Sequence, residues 1–428
     1  MSFTIGGTTF PPPALDSISS SSNDSEILRI GVLSVARIAY LGLVEPVSTH
    51  ASSVITAIAS RDQSKADEYI RRKKTYLTGK CTAYGSYDEL LNNPHIDAVF
   101  IPLPNSLHHQ FALAALKKGK HIMIEKPIAS NAQQAREIRA AAIQSGKVAL
   151  EAFHWRFHPA AGCVKSLLLS GEYGAVLSID ARYAMFGGMF NRGEDIRFKY
   201  ELAGGSCMDL TYVFSAIAYL GVRDSCDPDF EFEVLDSKFR LSPYDPLVDE
   251  QVEATILLSD PHPYGCNRNS RETGAPPSQI RATVGADLHS PPFLGIIPRF
   301  WDRPMLTIQT EKAEITFDNF MGPWISHSIA ITAVTRDPTG QRILRRGKKI
   351  QTACYQGGPL WEQEESRTGA KVGEAWWTTW RYQLEGFVRR VKDGEAYAGP
   401  WVTLDESVRT MEMIDAVYAK GGLPVRGA

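Results

Sequence analysis

The chain has 428 residues, of which 43% are hydrophobic and 22% are charged, and its formal net charge is -2. This length and composition predict two domains with substantial cores, and the charge excludes a basic surface for nucleic acid. The sequence contains no run of about 18 apolar residues, so we expect no membrane span.

The cysteines and the N-terminal segment indicate the redox environment and the compartment of the protein. The six cysteines, at positions 81, 163, 207, 226, 266 and 354, form neither a C-x-x-C motif nor a tight pair in sequence, which favours reduced thiols and no metal site. Residues 1–25 are rich in Ser, Pro and Gly and have neither a basic start nor an apolar core, so we predict a disordered leader. The expected compartment is the cytoplasm.

A strand is predicted at residues 28–33, and the turn after it follows a nucleotide-binding pattern without the usual glycines. Ser34, Ala36 and Ala39 are small residues where G-x-G-x-x-G would sit. Small residues let backbone amides approach a pyrophosphate at a helix N-terminus. The predicted phosphate-binding residues are Ser34, Val35, Ala36, Arg37 and Ile38.

A second predicted strand, residues 53–59, ends in Ser60, Arg61 and Asp62, where a dinucleotide-binding domain contacts the adenosine ribose. An acid here accepts from a free 2′-hydroxyl, whereas the guanidinium of Arg61 suits a 2′-phosphate. We therefore predict that Ser60 and Arg61 bind NADP(H) in preference to NAD(H). Asp62 keeps NAD(H) as the second candidate, and the alternative role of Arg61 is a solvated turn residue.

Helices and strands continue to alternate along this part of the chain. Helices are predicted at 66–72, 87–91 and 110–118, and a strand is predicted at 96–101. This alternation indicates an α/β fold with a doubly wound parallel sheet. The residues predicted to bind the cofactor after the 96–101 strand are Pro102, Leu103, Asn105 and His108. The alternative role of His108 is to cap or pack the helix that follows.

The apolar run at 122–124 ends on Glu125, Lys126 and Pro127. Such a run is typical of a buried parallel strand, and open α/β sheets bind ligands at the carboxyl ends of those strands. Pro127 cannot extend the strand and restricts the residue before it, so Lys126 is held on a stiff turn. We predict that Glu125 and Lys126 bind the cofactor and that Lys126 also contacts substrate as a candidate acid or base.

A second candidate group follows a Gly-Gly-Ser turn, in an apolar segment at 208–220. Asp209 and Tyr212 in this segment lie on one face at helical spacing. Together with Lys126 they form a proton-handling set, provided that burial or positive neighbours lower the pKa of the phenol or the ammonium. The rival interpretations are a helix cap for Asp209 and a packing aromatic for Tyr212.

These motifs together resemble the glucose-fructose oxidoreductase, inositol dehydrogenase and MocA (Gfo/Idh/MocA) family of nicotinamide-dependent oxidoreductases. The matching residues are Gly31 to Ala39, Ala59 to Arg61, Pro104, Asn105 and His108, Glu125 to Pro127, Gly204 to Ser206 and Asp209, with helices near 382–387 and 414–418. Within the family the chain is most similar to the dimeric dihydrodiol dehydrogenases and the NADP-dependent D-xylose dehydrogenases. This similarity rests on the 151–159 stretch and on Tyr212.

The 151–159 stretch also supplies candidate pocket residues. We predict that Trp155 and Arg156 bind substrate together with Lys126, Asp209 and Tyr212. His154 and His158 are interpreted as pocket walls or as hydrogen-bonded core groups rather than as catalysts.

The predicted boundaries are a dinucleotide-binding domain at 26–152 and a substrate-binding and dimerisation domain of α+β type at 153–428. Strands in the second domain are predicted at 176–185, 230–241, 251–258, 280–285, 305–317 and 328–334. Without crossover helices they form a large, mainly antiparallel sheet with one face open. The resemblance implies that a homodimer forms through this open face.

Two segments of the second domain, 259–278 and 338–370, are predicted to be loop insertions because they are dense in turn-forming or charged residues. The second insertion either covers the substrate pocket, with Tyr355 or Trp361 as a wall, or is a solvated surface excursion.

The predicted reaction is hydride transfer between C4 of a nicotinamide and a carbon that bears a hydroxyl or carbonyl group. Tyr212 moves the proton while Lys126 lowers its pKa, or the two exchange roles. An aldose oxidised to a lactone is the first predicted substrate class, and a bulkier dihydrodiol or ketone is the second. The second class requires an aromatic cleft, for which the candidates are Phe153, Trp155, Phe157, Phe186 and Phe190.

A non-catalytic, dinucleotide-sensing regulator is the alternative from a different class. Lys126, Asp209 and Tyr212 favour an enzyme, because a sensor has no need of proton transfer.

Overall fold

A computed structural model describes residues 3–5, 8–10, 27–264, 278–294, 296–297, 299, 302–337, 340 and 342–427. The chain divides into two compact units, Met1–Phe100 and Ile101–Ala428. Within the predicted leader, strands β1 (Phe3–Ile5) and β2 (Thr8–Phe10) pair antiparallel. The rest of the leader lies outside the described residues, and its disorder stays a prediction.

The first unit carries parallel strands with buried apolar side chains. The strands are β3 (Leu28–Leu33), β4 (Ser53–Ala59), β5 (Thr82–Tyr84) and β6 (Ala98–Ile101). The helices are α1 (Arg37–Ala39), α2 (Glu45–Ser48), α3 (Gln63–Lys73) and α4 (Tyr87–Asn92), with a π-helical turn at Tyr40–Val44 between α1 and α2. Val32, Ile58 and Val99 are fully buried, as expected for strands that are covered on both faces.

The second unit begins with helix α5 (Asn105–Lys117), strand β7 (His121–Ile124), helix α6 (Ala132–Ser145) and strand β8 (Ala149–Glu151). Strands β7 and β8 pair in parallel. The order of the parallel sheet is β5-β4-β3-β6-β7-β8. The predicted doubly wound parallel sheet is therefore confirmed.

The second unit also contains an eight-stranded sheet. Its strands are β9 (Val176–Phe186), β10 (Glu231–Leu241), β11 (Asp249–Asp260), β12 (Ser278–Ser290), β13 (Met305–Thr310), β14 (Ala313–Asp318), β15 (Ser328–Arg336) and β16 (Ile343–Thr352). Their order is β10-β11-β12-β9-β13-β14-β15-β16. Only the β12–β9 pair among these described neighbours is parallel, which confirms the predicted mainly antiparallel sheet.

One face of this sheet is apolar and the other is charged. Ile308 and Ile315, for example, are fully buried on one face. On the other face Arg182 donates to Glu253 at 2.8 Å and forms an ion pair with Asp180. Helices of the second unit are α7 (Pro159–Leu169), α8 (Ser206–Asp209), α9 (Tyr212–Ala216), α10 (Pro359–Thr368), α11 (Thr379–Asp393) and α12 (Leu404–Lys420). Helices α8, α9 and α12 pack against strands of this sheet.

Two predictions about elements of the second unit were wrong. The segment 305–317 is a hairpin of β13 and β14 rather than one strand, because Thr310 closes a turn through its bonds with Ala313. The segment 338–370 holds β16 and α10 rather than a loop. Strand β16 is exposed and basic, so it lacks the alternation that identifies a strand. Of the other predicted insertion, residues 265–277 lie outside the described residues.

A buried carboxylate at the start of β11 connects three parts of the second unit. Asp249 accepts hydrogen bonds from Ser206 Oγ at 2.7 Å and Cys207 N at 2.8 Å at the start of α8. Its other oxygen accepts from Tyr418 Oη at 2.8 Å and Arg426 Nη2 at 2.7 Å. Asp249 and Arg426 are both fully buried, so each charge depends on its partner for stabilisation.

We predict that Asp249→Asn lowers the free energy of unfolding by about 3–5 kcal/mol, because it leaves the Arg426 guanidinium buried without a counter-ion. Denaturant unfolding measures the difference. Asp236→Asn is the matched control, since Asp236 pairs with Lys238 on the exposed surface, and we expect an unchanged midpoint. Equal stability of the two variants would contradict the role given to Asp249.

Candidate active site

Lys126 follows β7 and reaches the end of α8. Its Nζ donates to the backbone oxygen of Asp209 at 2.6 Å and to Asp209 Oδ1 at 3.1 Å. The same Nζ lies 5.2 Å from the ring centroid of Tyr212. The structure therefore brings together the three predicted catalytic residues, although Lys126 and Asp209 are 83 positions apart in sequence.

Buried groups hold the turn that carries Lys126. Glu151 Oε1 accepts from Ile128 N at 2.9 Å, and Glu125 N donates to Ile101 O at 3.2 Å. The Lys126–Pro127 peptide bond is cis. Burial raises the pKa of Glu151 to about 8 and that of Glu125 to about 7, so both carboxyl groups titrate far above their usual range.

His108 also holds this turn rather than facing an open crevice. It is fully buried, and its Nδ1 and Nε2 lie 2.7 Å from Pro127 O and 2.8 Å from Leu103 O. Burial lowers the pKa of His108 to about 4. The ring is therefore neutral at pH 7 and donates to one of the two carbonyl groups. Its surroundings match the packing role that the sequence left open as the alternative.

The other predicted cofactor residues of this unit have different surroundings. Asn105 Nδ2 donates to Ala203 O at 3.0 Å, next to the glycine turn. Pro102 and Leu103 are buried, and Glu125 Oε1 is a buried atom without a hydrogen-bond partner in the described part of the chain. Glu125 therefore has an acceptor atom that no described group satisfies.

Arg197 completes the charge set and is absent from the sequence-based prediction. Its Nε donates to Asp209 Oδ2 at 2.9 Å, and its Nη1 donates to Asp195 at 2.9 Å. Burial raises the pKa of Asp209, but the positive charges of Lys126 and Arg197 outweigh burial, so the net pKa lies below the usual range. Arg197 lies in a region of short turns without periodicity, and no sequence signal marked it.

Tyr212 lies opposite His154, which the sequence had not assigned to catalysis. Tyr212 Oη is 3.1 Å from His154 Nε2. Burial, followed by the nearby Glu125, raises the pKa of Tyr212 well above its ordinary value. In the protein alone, burial and neighbouring carboxyl groups therefore outweigh the lowering of this pKa by Lys126, which stays a prediction.

The helix that carries Asp209 and Tyr212 differs from the one predicted. Helix α8 ends at Asp209 and α9 begins at Tyr212, so the two residues do not share one continuous helical face. The break turns the Asp209 carbonyl towards Lys126, where it accepts the shorter of the two Lys126 bonds.

Aromatic rings surround the Tyr212 phenol. Phe153 and Tyr183 lie 6.1 Å from Tyr212 between ring centroids. Trp380 lies 4.3 Å from the ring of His154 and 6.3 Å from Trp324. The tryptophans Trp324 and Trp380 were not among the predicted cleft residues, since they come from segments far away in sequence.

Trp155 and Arg156 do not line this group of side chains, contrary to their predicted role in substrate binding. Trp155 is fully buried and packs edge-on against Tyr219 and Phe320. Arg156 donates to Glu406 at 2.9 Å, and its guanidinium carbon lies 3.4 Å from the ring centroid of Tyr219. A 3₁₀ turn at His154–Phe157 directs both side chains into the core.

Other predicted pocket residues also belong to the core. Phe157 is fully buried, and its backbone oxygen accepts from Trp361 Nε1 at 3.0 Å. Trp361 is therefore core rather than a pocket wall. Phe186 and Phe190 are half-buried, and Phe190 lies under Arg197, with 4.3 Å between its ring centroid and the guanidinium carbon.

In the first unit, the predicted phosphate loop has a glycine-like conformation. Ser34 has φ 123, a backbone geometry that favours glycine. Its Oγ accepts from Ala36 N at 3.1 Å, while Ser34 N donates to Ala59 O at 3.0 Å. The local side-chain bond stabilises a turn that other families build with glycine, and helix α1 begins directly afterwards at Arg37.

The end of β4 lies close to this loop. Tyr87 forms a side-chain hydrogen bond with Ser34 and interacts electrostatically with Arg61. Arg61 is exposed. Asp62 caps α3, accepting from Ser64 N at 3.0 Å. The carboxylate of Asp62 is therefore occupied by the helix start, whereas Arg61 presents its guanidinium to solvent.

In the described part of the chain, no group of three or more His, Cys, Asp or Glu side chains has the arrangement of a metal site. No helix within the same residues has the length and hydropathy needed to cross a membrane.

Comparisons with known proteins agree with this fold. Residues 28–153 match the model of the Gfo/Idh/MocA oxidoreductase family with NAD-binding Rossmann fold, and this match confirms the family resemblance seen in the sequence. D-xylose 1-dehydrogenase (NADP(+)) 2 of Haloferax volcanii is 36% identical over 201 residues, which cover 46% of this chain and 58% of the relative.

Two further proteins are similar to this chain. Trans-1,2-dihydrobenzene-1,2-diol dehydrogenase of Sus scrofa is 32% identical over 156 residues, covering 36% of this chain and 44% of the relative. A 3-ketoreductase of Actinomadura kijaniata, solved with NADP and TDP-benzene, has a TM-score of 0.65 and 20% identity and covers 92% of this chain and 98% of its own. The chain spans about half the length of the curated relatives it matches.

We predict that Glu151→Gln makes the unfolding free energy less dependent on pH. The pKa of Glu151 is about 8 in the folded protein and about 4.3 in an unfolded chain. The proton it holds therefore stabilises the folded state at low pH, and this contribution is lost as pH rises from about 5 to 8. Across that window the wild type loses about 1.4 kcal/mol more per pH unit than the variant.

Urea unfolding of both proteins at pH 5 and pH 8 measures this difference. Glu89→Gln is the control, because it makes the same substitution at an exposed position. A constant gap between the wild type and Glu151→Gln at the two pH values would contradict a buried carboxyl group that ionises late.

Proposed function

We propose that this protein is an NADP(H)-dependent oxidoreductase that acts on a hydroxyl or carbonyl carbon of a small polyol or sugar. The observation that carries the proposal is the convergence of Lys126, Asp209 and Tyr212 in one group, in which Tyr212 is buried and the other two are half-buried. The match of residues 28–153 to a family of NAD-binding oxidoreductases supports the same conclusion.

A nicotinamide cofactor, when bound, would supply or accept the hydride at the reacting carbon. Tyr212 then transfers the proton at its Oη to or from the substrate oxygen. Its raised pKa keeps it protonated at neutral pH, which suits donation to a carbonyl oxygen. Lys126, held by Asp209, donates a hydrogen bond to the same oxygen and stabilises the negative charge that develops there. The assignment with Lys126 as the proton carrier is the alternative.

His154 orients the Tyr212 hydroxyl group. Burial lowers the pKa of His154 to about 3, so its ring is neutral. His154 Nδ1 is buried without a partner in the described residues, and an unsatisfied lone pair costs less than an unsatisfied N–H. The favoured tautomer therefore places the hydrogen on Nε2, which donates to Tyr212 Oη and leaves the phenolic hydrogen free for the substrate.

The residues of the first unit fit a bound NADP(H). The glycine-like turn at Ser34 and the start of α1 at Arg37 suit a pyrophosphate. Arg61 is exposed beside this turn while Asp62 caps α3, which favours a 2′-phosphate over a free 2′-hydroxyl. The name of the Haloferax relative includes NADP, and the Actinomadura 3-ketoreductase was solved in complex with NADP.

The chemistry around Tyr212 favours a polyol as substrate. Lys126, Asp209 and Arg197 are linked by hydrogen bonds and offer several donors and acceptors for vicinal hydroxyl groups. The similarity to a D-xylose dehydrogenase supports this class. The rings of Phe153, Tyr183 and Trp380 keep a dihydrodiol as the second candidate, and the Sus scrofa relative is named for such an activity.

We also propose a homodimer formed through the charged face of the eight-stranded sheet. Arg182, Asp180 and Glu253 alternate in charge across neighbouring strands on this face, so a two-fold copy of the surface can pair opposite charges. Sedimentation analysis tests the assembly, and a monomer at micromolar concentration contradicts it.

We predict that Lys126→Met and Tyr212→Phe each lower kcat by about 10²- to 10⁴-fold, since each removes a group that acts on the substrate oxygen. The assay follows NADPH absorbance with a panel of D-xylose, D-glucose, trans-dihydrodiols and aromatic ketones, and NADPH fluorescence reports cofactor binding. Lys118→Met and Tyr244→Phe are matched controls, because both residues are exposed.

Full activity in both Lys126→Met and Tyr212→Phe would overturn the assigned roles. Tight NADPH binding by the wild type without turnover of any panel member would instead support a dinucleotide-sensing regulator.

We predict that Arg61→Ala weakens NADPH binding by about 10- to 100-fold, as expected for the loss of charge-assisted hydrogen bonds to a phosphate. Binding of NADH stays within about twofold of the wild type. Fluorescence titration with the two cofactors measures both constants. Arg72→Ala, which removes an exposed arginine of α3 that pairs with Glu68, is the control. An equal loss of affinity for NADH and NADPH would show that Arg61 does not bind the 2′-phosphate.

A further inference from the structure

Arg426, which follows α12, forms hydrogen bonds with both segments that carry the charged residues of the proposed active site. It is fully buried. Its backbone oxygen accepts from Asn131 Nδ2 at 2.8 Å, and Asn131 caps α6, the first helix after the Lys126 turn. Its side-chain Nε donates to Gly204 O at 2.9 Å, in the glycine turn before Asp209. One residue of the second unit therefore connects the Lys126 segment with the Asp209 segment.

The glycine turn that Arg426 contacts positions Arg197 as well as Asp209. Gly205 N donates to Arg197 O at 2.9 Å, and Gly205 O accepts from Asp209 N at 2.9 Å. A Cβ at Gly204 would lie 2.5 Å from Arg197 O, so the turn and the Arg197 backbone approach each other as closely as glycine allows. A movement of this turn would therefore displace Asp209 and Arg197 together.

The geometry of the guanidinium group fixes the direction of the bond to the glycine turn. Nη2 of Arg426 donates to Asp249 Oδ1 at 2.7 Å, and Nη1 donates to Pro424 O at 2.9 Å. The guanidinium carbon lies 4.2 Å from the ring centroid of Tyr418 and 5.0 Å from that of Tyr200. All three nitrogens are thus used, and their directions are set by one rigid plane. The single ammonium of a lysine cannot reproduce these bonds.

We propose that Arg426 is a positioning residue of the proposed active site, which fixes the glycine turn relative to the segment after Lys126. The inference rests on the function proposed above. Arg426 acts through Asp209, whose two carboxylate oxygens accept from Lys126 and Arg197. Loss of its bonds releases the glycine turn and allows the Lys126 ammonium to shift from its place near the Tyr212 ring. A shift of about 1 Å in such a group costs about 100-fold in rate.

The test replaces the guanidinium group and then supplies it from solution. Arg426→Ala is expected to lower kcat by about 10- to 100-fold, because the reacting groups are no longer held in one geometry. Millimolar guanidinium, which is planar like the deleted group, is expected to restore part of this loss, whereas ammonium at the same concentration does not. An unchanged kcat, or a loss that guanidinium does not restore, overturns the proposal.

Two further variants separate positioning from a general loss of stability. Arg389→Ala is the matched control, because Arg389 donates to the fully buried Glu364 at 3.0 Å and to Glu385 at 2.7 Å. It is expected to lower Tm without changing kcat per folded molecule, where circular dichroism gives the folded fraction. Arg426→Lys keeps a cation beside Asp249 and is expected to be more stable than Arg426→Ala, yet to have a lower kcat than the wild type. Equal losses of kcat in Arg389→Ala and Arg426→Ala overturn the proposal.

Two other readouts complete the test. The pH profile of kcat is expected to shift in Arg426→Ala, since Asp209 and Lys126 are displaced, whereas a loss of folded molecules only scales the profile. Hydrogen exchange needs no turnover, and residues 204–212 are expected to exchange faster in Arg426→Ala than in the wild type or in Arg389→Ala. A wild type that turns over no substrate contradicts the proposed function. Equal exchange of residues 204–212 in all three proteins instead contradicts the link between Arg426 and the glycine turn, so the two failures are distinguishable.

Discussion

The sharing of one half-buried carboxylate between two cations is the interaction on which the proposed active site depends. Asp209 accepts from Lys126 through one oxygen and from Arg197 through the other. A lone carboxylate in this position would take up a proton, because burial penalises its charge. The two cations reverse that preference and keep the pKa of Asp209 low. Lys126 and Arg197 in turn have a fixed partner, so their donors stay in place beside Tyr212.

The geometry of this ion-pair group is well defined only because the two turns that carry its residues are themselves fixed. On one side, Glu151 and His108 hold the backbone after Lys126. On the other side, Asp249 accepts from the first turn of α8 and is paired with the buried Arg426. Each support is a buried polar group with several hydrogen bonds, which restricts geometry more than an apolar contact of the same size does. The site therefore depends on residues that never approach the substrate.

The sequence predicted the parts of the site that local rules determine. A strand that ends in Lys126 and Pro127 and a glycine turn before Asp209 both follow from backbone chemistry that single residues dictate. The roles of Arg197, His154 and Trp380 depend on pairings with distant segments, and no periodicity records such pairings. Arg156 was predicted to bind substrate because it lies in a recognisable stretch. The structure pairs it instead with Glu406, 250 positions away, and no local pattern indicates that partner. Strand β16 was missed because its exposed edge carries charge where alternation would otherwise appear.

The ionisation of Glu125 affects the pKa of the Tyr212 phenol. Its carboxyl group is buried, has a pKa of about 7 and is the neighbouring charge with the largest effect on Tyr212. When Glu125 ionises, its negative charge raises the pKa of the phenol further, because like charges disfavour one another at short range. The phenol therefore keeps its proton more firmly as pH rises through neutrality, which favours donation to a carbonyl oxygen over acceptance from a hydroxyl group. The reverse transfer needs further positive charge beside the phenol, because the pKa of Tyr212 is raised even though Lys126 lies 5.2 Å from its ring.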